Sequence, residues 1–195
     1  MRIIGGTAAG RILKAPKGLA VRPMPDLVRQ AVFNSLGARV AGARVLDLFA
    51  GTAALGLECL SRGAGFVLSV ERSAKHVAFI RANRQAAGLP REGHQVRAQD
   101  VFTALAQLAA AGETFDLVLA DPPFGPKNLT HRSASAAQRL LDDPHLPALL
   151  RGEGLFVLGH ARRDTLELVP PWEEVKALKH GDSVVRFLRA GWQPA

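Results

Sequence analysis

The sequence predicts an α/β fold: a mostly parallel sheet with helices on both faces, closed by an antiparallel C-terminal hairpin. Three observations predict it. From residue 44 to residue 120, short apolar runs of strand length alternate with helically periodic segments. Two late β-rich runs flank Lys179-His180-Gly181-Asp182, which reads as a hairpin with a loop slightly longer than the tightest turn. The 195 residues are 48% hydrophobic and 22% charged, a globular composition that excludes a disordered or fibrous chain.

The elements follow in order. Residues 2–4 and 11–14 flank a glycine-rich stretch and form a candidate hairpin. Leu27, Val28, Ala31, Val32 and Leu36 recur at helical spacing before Gly37, with Arg29 assigned to the charged side. Strands are expected at 44–48, 66–70, 95–98, 115–120 and 154–159. Helices are expected at 54–62, 73–87 with Ser73 as N-cap, 101–111, and within 133–150. The closing hairpin takes 172–178 and 183–189.

Charge is unevenly spread. Residues 1–44 carry eight basic side chains against Asp26 alone, a net of +7 of the chain's +8. Such a surplus suggests a docking surface for a polyanion. The single cysteine, Cys59, excludes an intrachain disulfide and is assigned to the core side of its helix. The six histidines show no metal-ligand spacing, and His131 is assigned to the surface. No run approaches the roughly 18 apolar residues of a membrane span. The first six residues hold no apolar run of secretory-signal type, so a soluble, cytoplasmic protein without a membrane partner is expected.

In open α/β sheets, ligands sit outside the carboxyl ends of the strands. The first strand runs into Asp47 and then a Gly51 turn, which is neither a dinucleotide fingerprint nor a P-loop. An acid there repels phosphate and suits an amino or sulfonium group. Glu71 ends the second strand, where a carboxylate can accept both ribose hydroxyls. Asp100 follows the third, placed either for an adenine amino group or as a helix N-cap. These acids describe a nucleoside site with a cationic tail, which S-adenosylmethionine fits. The fourth strand ends in Asp121-Pro122-Pro123-Phe124. Two prolines fix φ and remove donors, leaving carbonyl acceptors, a carboxylate and an aromatic face, a receptor for a planar amino group.

Asp47-Leu48-Phe49-Ala50-Gly51-Thr52-Ala53-Ala54-Leu55-Gly56, Val70-Glu71 and Asp121-Pro122-Pro123-Phe124 resemble the motifs of Rossmann-like, class I S-adenosylmethionine-dependent amino-methyltransferases. The upstream Arg22-Pro23 and Asp26-Leu27-Val28-Arg29-Gln30-Ala31-Val32-Phe33-Asn34-Ser35-Leu36 narrow it. With Arg2-Ile3-Ile4-Gly5-Gly6 and Leu13-Lys14-Ala15-Pro16, the chain resembles the bacterial ribosomal RNA small-subunit methyltransferase D family. The resemblance implies a seven-stranded sheet with an antiparallel C-terminal strand. It further implies one methyltransferase domain over 1–195, a basic hairpin and helix in 1–40 preceding a catalytic core in 41–195. The implied cofactor contacts are Asp47, Phe49, Gly51, Thr52, Gly56, Glu71, Asp100, Val101 and Asp121.

The implied reaction is methylation of the exocyclic N2 of a guanine in 16S rRNA. Asp121 and the Pro122 carbonyl would take the amine's N–H bonds, with Pro123 completing the rigid segment and Phe124 stacking on the base. Asp121 would accept the proton, and no metal is needed. Arg2, Arg11, Lys14 and Arg22 are the candidate phosphate contacts. A monomer acting on rRNA within a small subunit or assembly intermediate is expected. The alternatives are a DNA adenine-N6 or cytosine-N4 methyltransferase and a non-catalytic, cofactor-binding ribosome-assembly protein. Three departures from the family pattern stand out: Ala53 for glycine, Pro23-Met24-Pro25 for Pro-Thr-Thr, and Phe124 for the commoner tyrosine.

Overall fold

A computed structural model describes residues 1–15, 24–125 and 132–191. Arg22, His131 and Pro23 lie outside the described residues. Seven strands form one sheet: β1 (Arg44–Leu48), β2 (Phe66–Glu71), β3 (His94–Ala98), β4 (Phe115–Ala120), β5 (Leu150–Ala161), β6 (Trp172–His180) and β7 (Ser183–Ala190). Their order is β3-β2-β1-β4-β5-β7-β6. Neighbours from β3 to β5 pair in parallel, and β7 is antiparallel to both β5 and β6.

Alternate strand residues face opposite layers. Val45, Val67, Leu117 and Leu119 pack with α1 (Asp26–Leu36), α2 (Ala54–Ser61) and α3 (Ala74–Ala86). Leu46, Leu48, Leu68, Val70, Val118 and Ala120 pack with α4 (Val101–Ala110) and α5 (Ala136–Leu141). Cys59 is fully buried in the first layer, as expected. Side-chain caps fix the helix starts. The Ser73 hydroxyl accepts from the His76 amide at 3.4 Å, and Ser135 does the same for Gln138 at 3.2 Å.

The N-terminal hairpin is a narrow ribbon with one β-bridge, Arg2 to Ile12. It is pinned onto α2. Buried Glu58 accepts the Ile4 and Gly5 amides at 2.7 and 2.8 Å, and the Ser61 hydroxyl accepts the Ala8 amide at 2.9 Å. Those bonds satisfy a buried carboxylate that would otherwise be costly.

Two expectations are corrected. Arg29 does not lie on the charged side of α1; it is fully buried. The inward stripe of α1 is Val28, Arg29, Val32, Phe33 and Leu36, and Arg29 keeps helical register with Phe33 and Leu36. The closing hairpin is tighter than expected, because Lys179 and His180 stay in β6 and only Gly181-Asp182 turn. The helix expected within 133–150 is the six-residue α5, followed by a short 3-10 turn, Pro147–Leu149. Asp142-Asp143-Pro144 ends α5 because proline disfavours the helical state of its predecessor.

Candidate active site

Two cavities meet at the end of β4. The larger, about 640 Å³, spans the carboxyl ends of β1 to β4. Phe49, Gly51 and Thr52 follow β1, Glu71 ends β2, Asp100 and Val101 follow β3, and Asp121-Pro122-Pro123-Phe124 follow β4; all of them, with Asp47, line this cavity. Gly56 does not line it. Its amide donates to Asp47 Oδ2 at 3.2 Å, and a Cβ at Gly56 would stand 2.7 Å from that oxygen. Gly56 therefore shapes the cavity by letting Asp47 lie against α2.

Asp47 is almost wholly buried. Burial pushes its carboxyl up to about 7, against the Gly56 amide and the Ser69 hydroxyl, which favour the anion. Ser69 Oγ is 3.3 Å from Asp47 Oδ2 and 3.0 Å from His94 Nε2, so a buried hydrogen-bond chain runs back from the cavity. Burial pulls His94 down to about 4, which keeps it neutral. Glu71 accepts the Gly51 amide on Oε2 and the Ser73 amide on Oε1, both at 2.8 Å, which ties the β1 loop to the end of β2. Asp100 Oδ1 caps α4 through the Phe102 and Thr103 amides at 3.0 and 3.3 Å while the residue faces the cavity. Phe102 meets Phe49 edge-on, with centroids 6.2 Å apart, and carries the Arg139 guanidinium 3.9 Å above its ring.

The β1 loop is backbone-strained at both ends. Phe49 has φ 54° and Ala53 has φ 58°, both left-handed. The Ala53 methyl is fully buried in the α1–α3 layer and is absent from the cavity wall. The departure from glycine thus strains the turn without crowding the cavity.

The second cavity, about 540 Å³, lies on the other side of Asp121 and Phe124. Met24, Gly159, His160 and the turn between β6 and β7 complete it. Burial pushes Asp121 up to about 6; the Met24 backbone amide and the charge of Arg29 act the other way. The contact from Met24 comes from its backbone, so exchanging the family's threonine for Met24 leaves it intact. His160 accepts from Arg186 Nε on Nε2 at 3.1 Å, so its proton lies on Nδ1, facing the Ala161 carbonyl at 3.0 Å. Burial, followed by the charge of Arg186, lowers its pKa.

Sequence reasoning missed Arg29, Ser69, Gly159 and His160. Arg29 had a signal, its register with Phe33 and Leu36. The others meet the site only through strand pairing. Of the candidate phosphate contacts, Arg2, Arg11 and Lys14 are exposed on the ribbon, and Arg2 lies 3.4 Å from Asp26. Not all of the N-terminal charge is at the surface. Arg44 is ion-paired with Glu113 and stacked on Phe66 at 4.5 Å.

The family model described as conserved hypothetical protein 95 matches residues 1–189. The chain is 36% identical to ribosomal RNA small subunit methyltransferase D of Escherichia coli, over 64% of this chain and 60% of that protein. It is also 35% identical, over 83% of each chain, to a Bacillus subtilis protein named provisionally as an rRNA methyltransferase. The chain belongs to the small-subunit methyltransferase D family. An Escherichia coli structure solved under a provisional methyltransferase name superposes with TM-score 0.78 at 30% identity over 99% of both chains. A Thermus thermophilus 16S rRNA guanine-N2 methyltransferase, solved with AdoMet and guanosine, superposes with TM-score 0.68 at 27% identity over 89% of this chain and 44% of that one. Within the small-subunit methyltransferase D family, this chain keeps an aromatic face at Phe124, which is 44% exposed and borders both cavities.

Proposed function

We propose that this chain transfers a methyl group from S-adenosylmethionine to the exocyclic N2 of a guanine in 16S rRNA. The observation that carries the reading is the rigid Asp121-Pro122-Pro123-Phe124 segment standing between two cavities. The larger has the volume of a small-molecule site. Its wall fits S-adenosylmethionine: Glu71 and Asp100 for the ribose and adenine, Asp47 for a cationic end, and Phe49, Gly51, Thr52 and Val101 for shape. The smaller cavity is the place for the target base. Relatives named for rRNA methylation and a neighbour solved with AdoMet and guanosine support the same reading.

When bound, S-adenosylmethionine supplies an electrophilic methyl on a positively charged sulfur. The chain's own residues do the rest. The lone pair of guanine N2 is delocalised into the ring. Asp121 and the Pro122 carbonyl accept its N–H bonds and draw that pair out of conjugation. Phe124 stacks on the base, a contact worth about 1–3 kcal/mol. As the N–C bond formed and the methyl–sulfur bond broke, leaving the neutral thioether S-adenosylhomocysteine, N2 would become acidic and its proton would pass to Asp121. That carboxylate is mostly ionised at neutral pH, since its pKa is about 6. Holding the base and the methyl donor in fixed relation supplies much of the acceleration. A base in a duplex has to be unstacked to enter. The exposed ribbon residues Arg2, Arg11 and Lys14 are the phosphate contacts in this reading. The unit acts as a monomer on a small subunit or its assembly intermediate.

The test is parallel transfer of labelled methyl to hypomethylated small subunits, naked 16S rRNA, tRNA and duplex DNA, followed by nucleoside digestion. We expect N2-methylguanosine from subunits or rRNA. Asp121→Ala should reduce it by at least about 100-fold while still binding the cofactor. Label confined to DNA overturns the substrate. Bound cofactor with no label anywhere moves the chain to the non-catalytic assembly role.

A further inference from the structure

We propose that Arg29 binds the α-carboxylate of the cofactor's amino-acid end; the inference rests on the S-adenosylmethionine reading and assigns a partner within it. Arg29 is fully buried, yet it belongs to the wall of the larger cavity. Its Nη2 is committed, donating to the Arg2 carbonyl and, at 3.0 Å, to Asp26 Oδ1. Its Nε and Nη1 have no hydrogen-bond partner among the described residues. Buried polar groups almost always find partners, and a buried charge with idle donors is costly. An acceptor supplied by a ligand accounts for both facts.

The charges of the wall say which acceptor. Asp47 and Asp121 are carboxylates of this cavity, suited to an ammonium and hostile to an anion. A free amino acid end carries one of each charge. Its carboxylate needs a cation in the same wall. Arg72, Arg139 and Arg163 also line the cavity, but each is exposed to water, where a charge pair is weak. Arg29 is the buried cation, where a charge-assisted hydrogen bond is strongest. Arginine also suits the task geometrically. Its planar fork holds Asp26 and Arg2 with one nitrogen and keeps two further donors in a fixed plane, which a lysine head cannot do. Arg29 also favours the ionised form of Asp121 through its charge. That influence needs no open donor, so it leaves Nε and Nη1 unexplained.

The experiment is calorimetric and needs no turnover. The full chain is titrated with S-adenosylhomocysteine and with its decarboxylated analogue, which keeps the amine and loses the carboxylate. The wild-type chain should prefer S-adenosylhomocysteine by about tenfold or more, the scale of one charge-assisted hydrogen bond. Arg29→Met should bring the ratio close to one, and both proteins should bind the decarboxylated compound within about threefold of each other. Equal wild-type affinities overturn the proposal, whatever the variants do. So does a preference retained in Arg29→Met, or one abolished by Arg163→Gln in its place. If Arg29→Met does not fold, Arg29→Lys replaces it: a narrowed ratio supports the assignment and an unchanged ratio sinks it. If the wild-type chain binds neither compound, the cofactor reading itself has failed, a result distinct from the others.

Discussion

Asp121 can lie over β5 only because residue 159 has no side chain. A Cβ at Gly159 would stand 2.6 Å from Asp121 Oδ1 and 3.2 Å from Met24 Cε. The carboxylate would have to turn away from the second cavity, and Met24, whose amide it accepts, would be pressed as well. Displacement of a reacting group by about 1 Å costs on the order of 100-fold in rate. Gly159→Ala should therefore lower single-turnover methyl transfer by about 100-fold and change cofactor affinity far less, because Gly159 itself touches only the smaller cavity while Asp121 and Met24 border both. Calorimetry beside a single-turnover assay checks both; an undiminished rate would show that Asp121 does not need this space. Asp121 itself was legible in the sequence, because two prolines after an apolar strand advertise a rigid acceptor segment. Gly159 was not. Its importance comes from a contact between β4 and β5, 38 residues apart in number, and nothing local marks it. Asp47 was legible as an acid in an apolar run, but its partner Ser69 reads as an ordinary strand residue.

The β1 loop and the start of α2 form the most strained element. A left-handed alanine costs about 1–2 kcal/mol relative to its normal region. Glycine at residue 53 would relieve that strain, but it would give up a buried methyl worth about 0.8 kcal/mol and add freedom to the unfolded chain worth about 0.4–1 kcal/mol. The effects nearly cancel. Ala53→Gly should change stability by less than about 1 kcal/mol in chemical denaturation, whereas the β-branched Ala53→Val should cost at least about 2 kcal/mol. A large gain for glycine would mean that the buried methyl contributes nothing. This balance explains how alanine persists where the family has glycine. Among elements, β1, β4 and the caps of α3 and α4 were legible because apolar runs and Ser73 and Asp100 mark them. The true start of β5 was hidden. Its first residues, Leu150-Arg151-Gly152-Glu153, mix an apolar, two charged and a glycine position, and their pairing with β4 is irregular between Phe115 and Leu117, so no period announces them. The tight turn after β6 was hidden by the polar Lys179 and His180, which look like loop residues and lie on an edge strand.

Across the whole molecule, the buried acids set the response to pH. Asp47 and Asp121 have folded pKa values of about 7 and about 6, above the unfolded carboxylate value of about 3.9. Raised acids hold protons in the folded chain that the unfolded chain releases. Their contribution is fully present below about pH 4 and is lost as pH rises through about 6 to 7. His94 and His160 have lowered values and work in the opposite direction, so the wild-type curve alone mixes the two. The difference curve separates them. From pH 5 to pH 8, the thermal midpoint of Asp47→Asn should gain steadily on that of the wild-type chain, with most of the gain complete just above pH 7. Parallel curves would show that Asp47 is ionised throughout. The layered α/β plan was legible at this scale, because strand–helix alternation admits few topologies. The fate of the N-terminal charge was not. Composition counts Arg29 and Arg44 with the surface surplus, and only packing shows that Arg29 is buried and that the half-buried Arg44 is ion-paired with Glu113.

The two cavities differ in which strands wall them. The larger one takes its wall from residues between Ala15 and Arg163, whereas the smaller one also needs His180 to Val185. β7, the strand carrying Ser183 to Val185, inserts between β5 and β6, so the smaller cavity is walled only where β7 has paired. The wall of the larger cavity draws on no residue of β6 or β7. Under the proposed reading, displacing β7 would leave the donor's compartment walled and the acceptor's open, which ties transfer, and not donor binding, to the pairing of that strand.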